Sequence, residues 1–230
     1  MKCLLPVAIL PLLLLGGCGK KTDAARGNFE DGLRTYLERR GDLCLAKSSW
    51  PIDVTPHDAA MGTRDAIQMP VFERLGLVRS TDATVDVVQD DGSIPVQVKR
   101  YELTEAGLRD YRSHEIGVNA TGEKVAAGDF CVAKLTLASV VRWEIAQATA
   151  ADRPRAVVSY TYEVSAEPWT RDPEVQRVLP AVARVISGAR SAELKESFTQ
   201  TPDGWVADDL LPGDVRVVSN PPRPPAPGNP

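Results

Sequence analysis

GDLCLAK, residues 41–47, and GDFCVAK, residues 128–134, are nearly the same heptapeptide written twice, each centred on a cysteine. A duplicated domain, a pair of metal ligands or two segments stitched together would each leave such an echo. The flanks argue against duplication. TYLERR and GEKVAA precede the copies, SSWPIDV and LTLASVV follow them, and nothing beyond the seven residues matches. Two short apolar segments entered through Gly-Asp, facing one another or a common core layer, would suffice. How the two cysteines are used then depends on where the chain resides.

The amino terminus bears on that. Lys2 precedes an apolar run from Leu4 to Leu15. As a helix the run would rise roughly 18 Å, short of a ~30 Å hydrocarbon core, so it reads as a secretory signal over residues 1–17. It closes on Leu15-Gly16-Gly17-Cys18, which closely resembles the lipobox of bacterial lipoproteins. The resemblance implies cleavage before Cys18, acylation of its sulfur with palmitate-type chains, and a membrane anchor facing the periplasm. Gly19 in place of Asp implies sorting to the outer membrane. Two or three acyl chains anchor durably, since each buried CH₂ contributes about 0.8 kcal/mol. Residues 18–28 are expected to be a lipidated tether. At the other end, residues 219–230 include NPPRPPAPGNP, which is expected to be extended and solvated.

Removing the signal takes away one lysine and leaves a net charge of −5, mildly acidic. Nothing supplies the basic face that nucleic-acid binding requires. Of four cysteines, Cys3 would leave with the signal and Cys18 would carry lipid. Cys44 and Cys131 remain, in an oxidising compartment, and are expected to form one disulfide. Two buried free thiols are the main alternative. A metal site would need further ligands, and the only histidines, His57 and His114, are not spaced to assist.

Along the chain, Asn28 is expected to cap a helix with Phe29, Leu33, Tyr36 and Leu37 as its apolar stripe, closed by a left-handed Gly41. Thr55 or Thr63 caps a second helical region with Ile67, Val71, Phe72 and Leu75, interrupted at Pro70. LVRSTDATVDVVQ and IPVQVKRYEL read as a hairpin bending at Asp91-Gly92. Thr104 caps a short helix within TEAGLRDYR. Phe72 to Arg112, through FERLGLVRS, the hairpin and RYELTEAGLRDY, resembles the winged-helix pattern of bacterial regulators. The resemblance implies a recognition helix followed by a wing. Asp82, Asp86, Asp90 and Asp91 occupy the wing where a DNA reader carries Lys and Arg, so the module is expected to be structural.

Beyond a Gly-rich break the texture is β. CVAKLTLASVVRWEIAQA and RAVVSYTYEVSA read as long strands, the second alternating Val158, Tyr160, Tyr162 and Val164 against Val157, Ser159, Thr161 and Glu163. Asp172-Pro173 opens a helix kinked at Pro180 and closed by Gly188. AELKESFTQ and WVADDL form a last hairpin about Pro202-Asp203-Gly204. The expectation is an α+β chain: a helix-rich winged-helix-like part over residues 29–117, then an antiparallel sheet with one packed helix over residues 118–218.

No nucleophile elbow, zinc-protease helix, phosphate loop or dinucleotide fingerprint occurs, so neither catalytic nor metal residues are assigned and no cofactor is expected. Trp50, Trp143, Tyr160 and Trp169 are candidates for an interface or pocket, with core packing as the plainer use. The mature chain also resembles proteobacterial lipoproteins related to carbapenem self-protection proteins, on RYELTEAG, FCVAK, SYTYEVS-x-x-PW and GWV. That resemblance implies binding or shielding. The functional expectation is a non-enzymatic envelope lipoprotein that contacts envelope proteins. An alternative is a small-molecule binding or immunity module with its pocket between the two parts; an unrecognised hydrolase is a third.

Overall fold

In the computed structural model, which describes residues 20–89, 92–119, 121–146 and 153–211, the two heptapeptides face each other. Strand β1 (Asp42–Cys44) runs antiparallel to β6 (Lys124–Ala146), with Asp42 opposite Lys134, Leu43 opposite Ala133 and Cys44 opposite Cys131. A disulfide joins the two cysteines. Each aspartate of the echo serves the other copy. Asp42 lies 3.6 Å from Lys134 Nζ, while Asp129 accepts the backbone N–H groups of Ala46 and Lys47 at 3.0 and 2.7 Å. The repeat is therefore a local antiparallel stitch, and its self-complementarity explains why one short pattern appears twice.

Both glycines of the echo mark close approaches. A Cβ at Gly41 would lie 2.3 Å from the Leu37 carbonyl oxygen and 2.6 Å from that of Leu135; one at Gly128 would lie 2.1 Å from the Tyr111 ring. Gly41 has φ of −77°, so the left-handed terminator expected there is not formed. Space, and not handedness, selects glycine at this position.

One sheet has the order β1-β6-β7-β8-β9, with β5 (Tyr111–Val118) also beside β6. Its remaining strands are β7 (Arg155–Ala166), β8 (Glu193–Thr201) and β9 (Gly204–Ala207). β6 serves three partners along its 23 residues, and register shifts between Leu137 and Ser139 and between Val140 and Arg142 curl it. The second sheet has the order β2-β4-β3, from β2 (Ile52–Val54), β3 (Val78–Gln89) and β4 (Gly92–Leu103). With α2 (Pro56–Met61) and α3 (Arg64–Arg74) before the hairpin and α4 (Glu105–Leu108) after it, the helices and the hairpin follow the order expected for the winged-helix-like part. The α+β class holds, with antiparallel sheets throughout.

Several details differ from expectation. α1 (Arg26–Arg40) starts before Asn28, whose side-chain amide instead donates to the Lys20 and Asp23 carbonyls. The segment expected as a tether is held from its described start: Gln200 Nε2 donates to Thr22 O at 2.7 Å and Trp205 Nε1 to Asp23 O at 3.1 Å. Thr55 caps α2 in a capping box, and the helical region divides at left-handed Gly62, not at Pro70, which lies inside α3. Ile67 turns outward at 45% exposure, and Gln68 and Met69 point inward. Gly92 is the first residue of β4, opposite Gln89; residues 90 and 91 lie outside the described residues. Thr104 does cap α4, accepting from Gly107 N at 3.2 Å, but α4 ends at Leu108. The division expected at residue 117 falls within β5. The one packed helix is two, α5 (Pro173–Val178) and α6 (Pro180–Ser187), broken at Leu179 because Pro180 disfavours helical geometry in the residue before it. The last hairpin forms as expected, with Thr201 opposite Gly204.

Two apolar clusters result. In one, α1 lays Phe29, Leu33 and Leu37 on the face built by Tyr160, Tyr162, Phe198 and Trp205. The other joins Trp50, Met69, Phe72 and Tyr101 of the winged-helix-like unit to Phe130, Val132, Val175 and Val182, so the two expected parts share one core region. Among the described residues no helix is long and apolar enough to cross a membrane.

Candidate functional site

Two of the buried polar residues among those described, Ser159 and Thr199, lie on β7 and β8; the other four lie toward the shared cluster. Lys47, Gln68, Asp110 and Thr170 are all below a tenth exposed. Burial pulls the Lys47 ammonium below the ordinary lysine range, while a hydrogen-bonded ion pair with Asp65 works against that shift. Burial raises the Asp110 carboxyl, against the opposing donation of Trp169 Nε1 to its Oδ2 at 3.0 Å. Both groups are therefore matched by local partners.

Gln68 is not. It is 6% exposed, and its Nε2 donates to the Val178 carbonyl at 3.2 Å. Because that carbonyl can only accept, the amide is oriented with its oxygen the other way. Oε1 has no hydrogen-bonding partner among the described residues. Leaving a buried acceptor unmatched costs roughly 1–3 kcal/mol, so the position calls for an account.

Gln68 lines a cleft of about 470 Å³ between α3 on one side and β1, α5 and α6 on the other. Its walls are Leu43, Leu45, Val178, Leu179, Val182 and Val185, with Cys44 of the disulfide among them. The stitch holds one wall: β1 is fixed to β6 by the disulfide and continues to Leu45, whose N–H reaches Phe130 O at 2.9 Å. α5 is started by Asp172, whose carboxylate accepts from Glu174 N and Val175 N. Asp172 also pairs with Arg74 at 2.9 Å, fastening the start of α5 to the end of α3. The site is thus a built concavity of ligand-pocket size, apolar with one oriented polar group.

A second groove, about 570 Å³, runs past Thr55, Pro70, Lys99 and Tyr101. Lys99 there is 3.6 Å from Glu73, Gln97 donates to Thr84 at 2.8 Å, and among the described residues none of the groove's side-chain polar atoms is buried without a partner. It carries no comparable demand for a ligand.

The residues singled out by sequence take other positions. Cys44 and Cys131 are bonded, and Cys44 lines the cleft. Cys18 lies outside the described residues. Trp50 is buried, donating to Lys47 O at 3.1 Å. Trp143 is half-buried against Phe29, with ring centres 5.3 Å apart. Tyr160 is buried, and burial pushes its hydroxyl up to about 12. Trp169 stacks on Phe130 at 5.9 Å. None of these four aromatics lines the cleft. Trp50 and Tyr160 are core, Trp143 and Trp169 pack half-buried against it, and the pocket is assembled from smaller aliphatic side chains.

His57 is exposed, and its neighbour Asp58 is engaged by Thr55 in the α2 cap. The side chain of His114 lies outside the described residues, as does the Asp90-Asp91 pair. Asp208 accepts from Thr199 Oγ1 and pairs with Arg155. Among the described residues no three His, Cys, Asp or Glu side chains converge to hold a metal. The signal that could have found Gln68 is its spacing, four before Phe72 on α3: one polar residue inside an otherwise apolar face. No protein family, curated protein or solved structure matches the chain.

Proposed function

We propose that this chain is a lipid-anchored envelope protein that binds a small, largely apolar molecule in the α3–α5–α6 cleft without transforming it. The anchor rests on the Leu15-Gly16-Gly17-Cys18 sequence and places the folded part at the periplasmic face, most naturally of the outer membrane. The binding role rests above all on Gln68, which lines the aliphatic cleft and whose buried Oε1 has no hydrogen-bonding partner among the described residues. A group kept at an energetic cost inside a cavity is well suited to orient a ligand N–H or O–H. The test has two parts. Labelled palmitate should be incorporated by the wild-type chain and not by Cys18→Ser. In the purified chain, Gln68→Met should weaken a cleft ligand by roughly tenfold, the worth of one buried hydrogen bond. Unlabelled wild-type protein would refute the anchor, and unchanged affinity would refute the role of Gln68.

A protein-contact role has one observation of its own. Val87 and Ile94 face each other near the far end of the β3–β4 hairpin and are 37% and 44% exposed. Loss of partner crosslinking on Val87→Ser, with cleft binding intact, would favour that reading.

A further inference from the structure

The cleft has an electrical sense as well as a shape. Of its twelve lining residues only Arg64 is charged, and it stands exposed on α3. It forms no ion pair among the described residues, whereas Lys47 close by is already matched by Asp65. The first turn of α6 supplies a second positive feature. Pro180, Ala181 and Val182 line the cleft, and Leu179 before them provides no side-chain cap. The backbone bond to Leu179 O begins only with Ala183 N, so the N–H groups of Ala181 and Val182 precede it. An uncapped helix start carries partial positive charge and donors suited to an anion. The negative end of α5, at Val178, is by contrast covered by the Gln68 amide.

Resting on the binding role proposed above, we infer that the ligand is an amphipathic anion. Its apolar body fills the aliphatic cleft, an N–H or O–H donates to Gln68 Oε1, and a carboxylate or sulfonate-type group meets Arg64 and the start of α6. A neutral apolar molecule would satisfy the walls and leave the cationic features unused. A cation would meet Arg64 unfavourably.

Two fluorescent probes separate the parts of this claim: anilinonaphthalenesulfonate, an aromatic anion with one N–H, and N-phenylnaphthylamine, its neutral counterpart. Both are titrated into the full chain carrying Cys18→Ser, which keeps acyl chains out of the measurement. The expected result is saturable binding of both, with the anion tighter. Ala181→Trp, at an exposed position that overhangs the cleft, should weaken both by at least about tenfold. Arg64→Gln should weaken the anion alone by about fivefold, and Arg64→Lys should restore most of it. If Ala181→Trp changes neither affinity, the dyes sit elsewhere and the cleft is not a binding site. If Ala181→Trp weakens both but Arg64→Gln leaves their ratio unchanged, the cleft stands and the anionic class is overturned.

Discussion

The two apolar clusters use similar side chains and close differently. Under α1, Phe29 meets Trp143, Phe198 and Trp205 with ring centres 5.0–6.2 Å apart, and Phe29, Leu33 and Phe198 have no exposure. The second cluster is also aromatic, with Phe72, Phe130 and Trp169 in mutual contact. Yet it admits Lys47, Gln68 and Asp110, and one edge opens into the cleft. Each has a geometric cause. A single 15-residue helix laid along a curled sheet can fill its groove continuously. Two short helices meeting a helix from another unit leave a gap at their break, and that break is Leu179-Pro180. The lesson is that the cleft opens where packing is interrupted, not where aromatics are densest.

The comparison can be broken most severely at the stitch. The bond between Cys44 and Cys131 closes 87 residues, which restrains the unfolded chain by about 4 kcal/mol in the entropic description. Replacing both cysteines with serine should cost on that order in urea denaturation. It should also weaken cleft binding, because β1 is a cleft wall. Phe29→Ala should cost roughly 3–4 kcal/mol, as a fully buried aromatic is lost, while affinity in the cleft stays within about twofold. Equal loss of binding in both cases would mean that the clusters are not functionally distinct.

Gln68→Met sharpens the contrast at smaller amplitude. It removes the bond to Val178 O but also relieves the unmatched Oε1, so stability should move by less than about 1 kcal/mol. A large destabilisation would identify Gln68 as purely structural. The smallest effect is expected from Asp110. Burial holds its proton more tightly in the folded chain than in the unfolded one, so ionisation opposes folding. Stability from this group should fall as pH rises from the ordinary aspartate range through the raised folded value. Asp110→Asn should flatten that slope in urea melts taken across the acid range, and an unchanged slope would remove Asp110 from the account.

Much of the architecture was legible in the sequence. Alternation and turn residues marked both hairpins, and the caps at Thr55, Thr104 and Asp172 are chemical signals that act within three residues. The cysteine pairing followed from counting once the export signal was granted. What escaped was tertiary in origin. Gly41 looks like a helix terminator until β6 is seen pressing against it. The inward turn of Gln68 and the outward turn of Ile67 depend on where α3 meets α5, which no local pattern encodes. The tryptophans drew notice by size, yet large rings complete cores most easily, and the cleft was left to aliphatic residues of ordinary appearance.

The most direct test is to map amide and side-chain chemical shifts of the full Cys18→Ser chain as anilinonaphthalenesulfonate is added. The largest changes are expected at the Gln68 side-chain amide and the backbone of Ala181 and Val182, with little at Phe29 or Leu33. Changes confined to the Val87–Ile94 end of the hairpin, with the cleft silent, would contradict binding in the cleft.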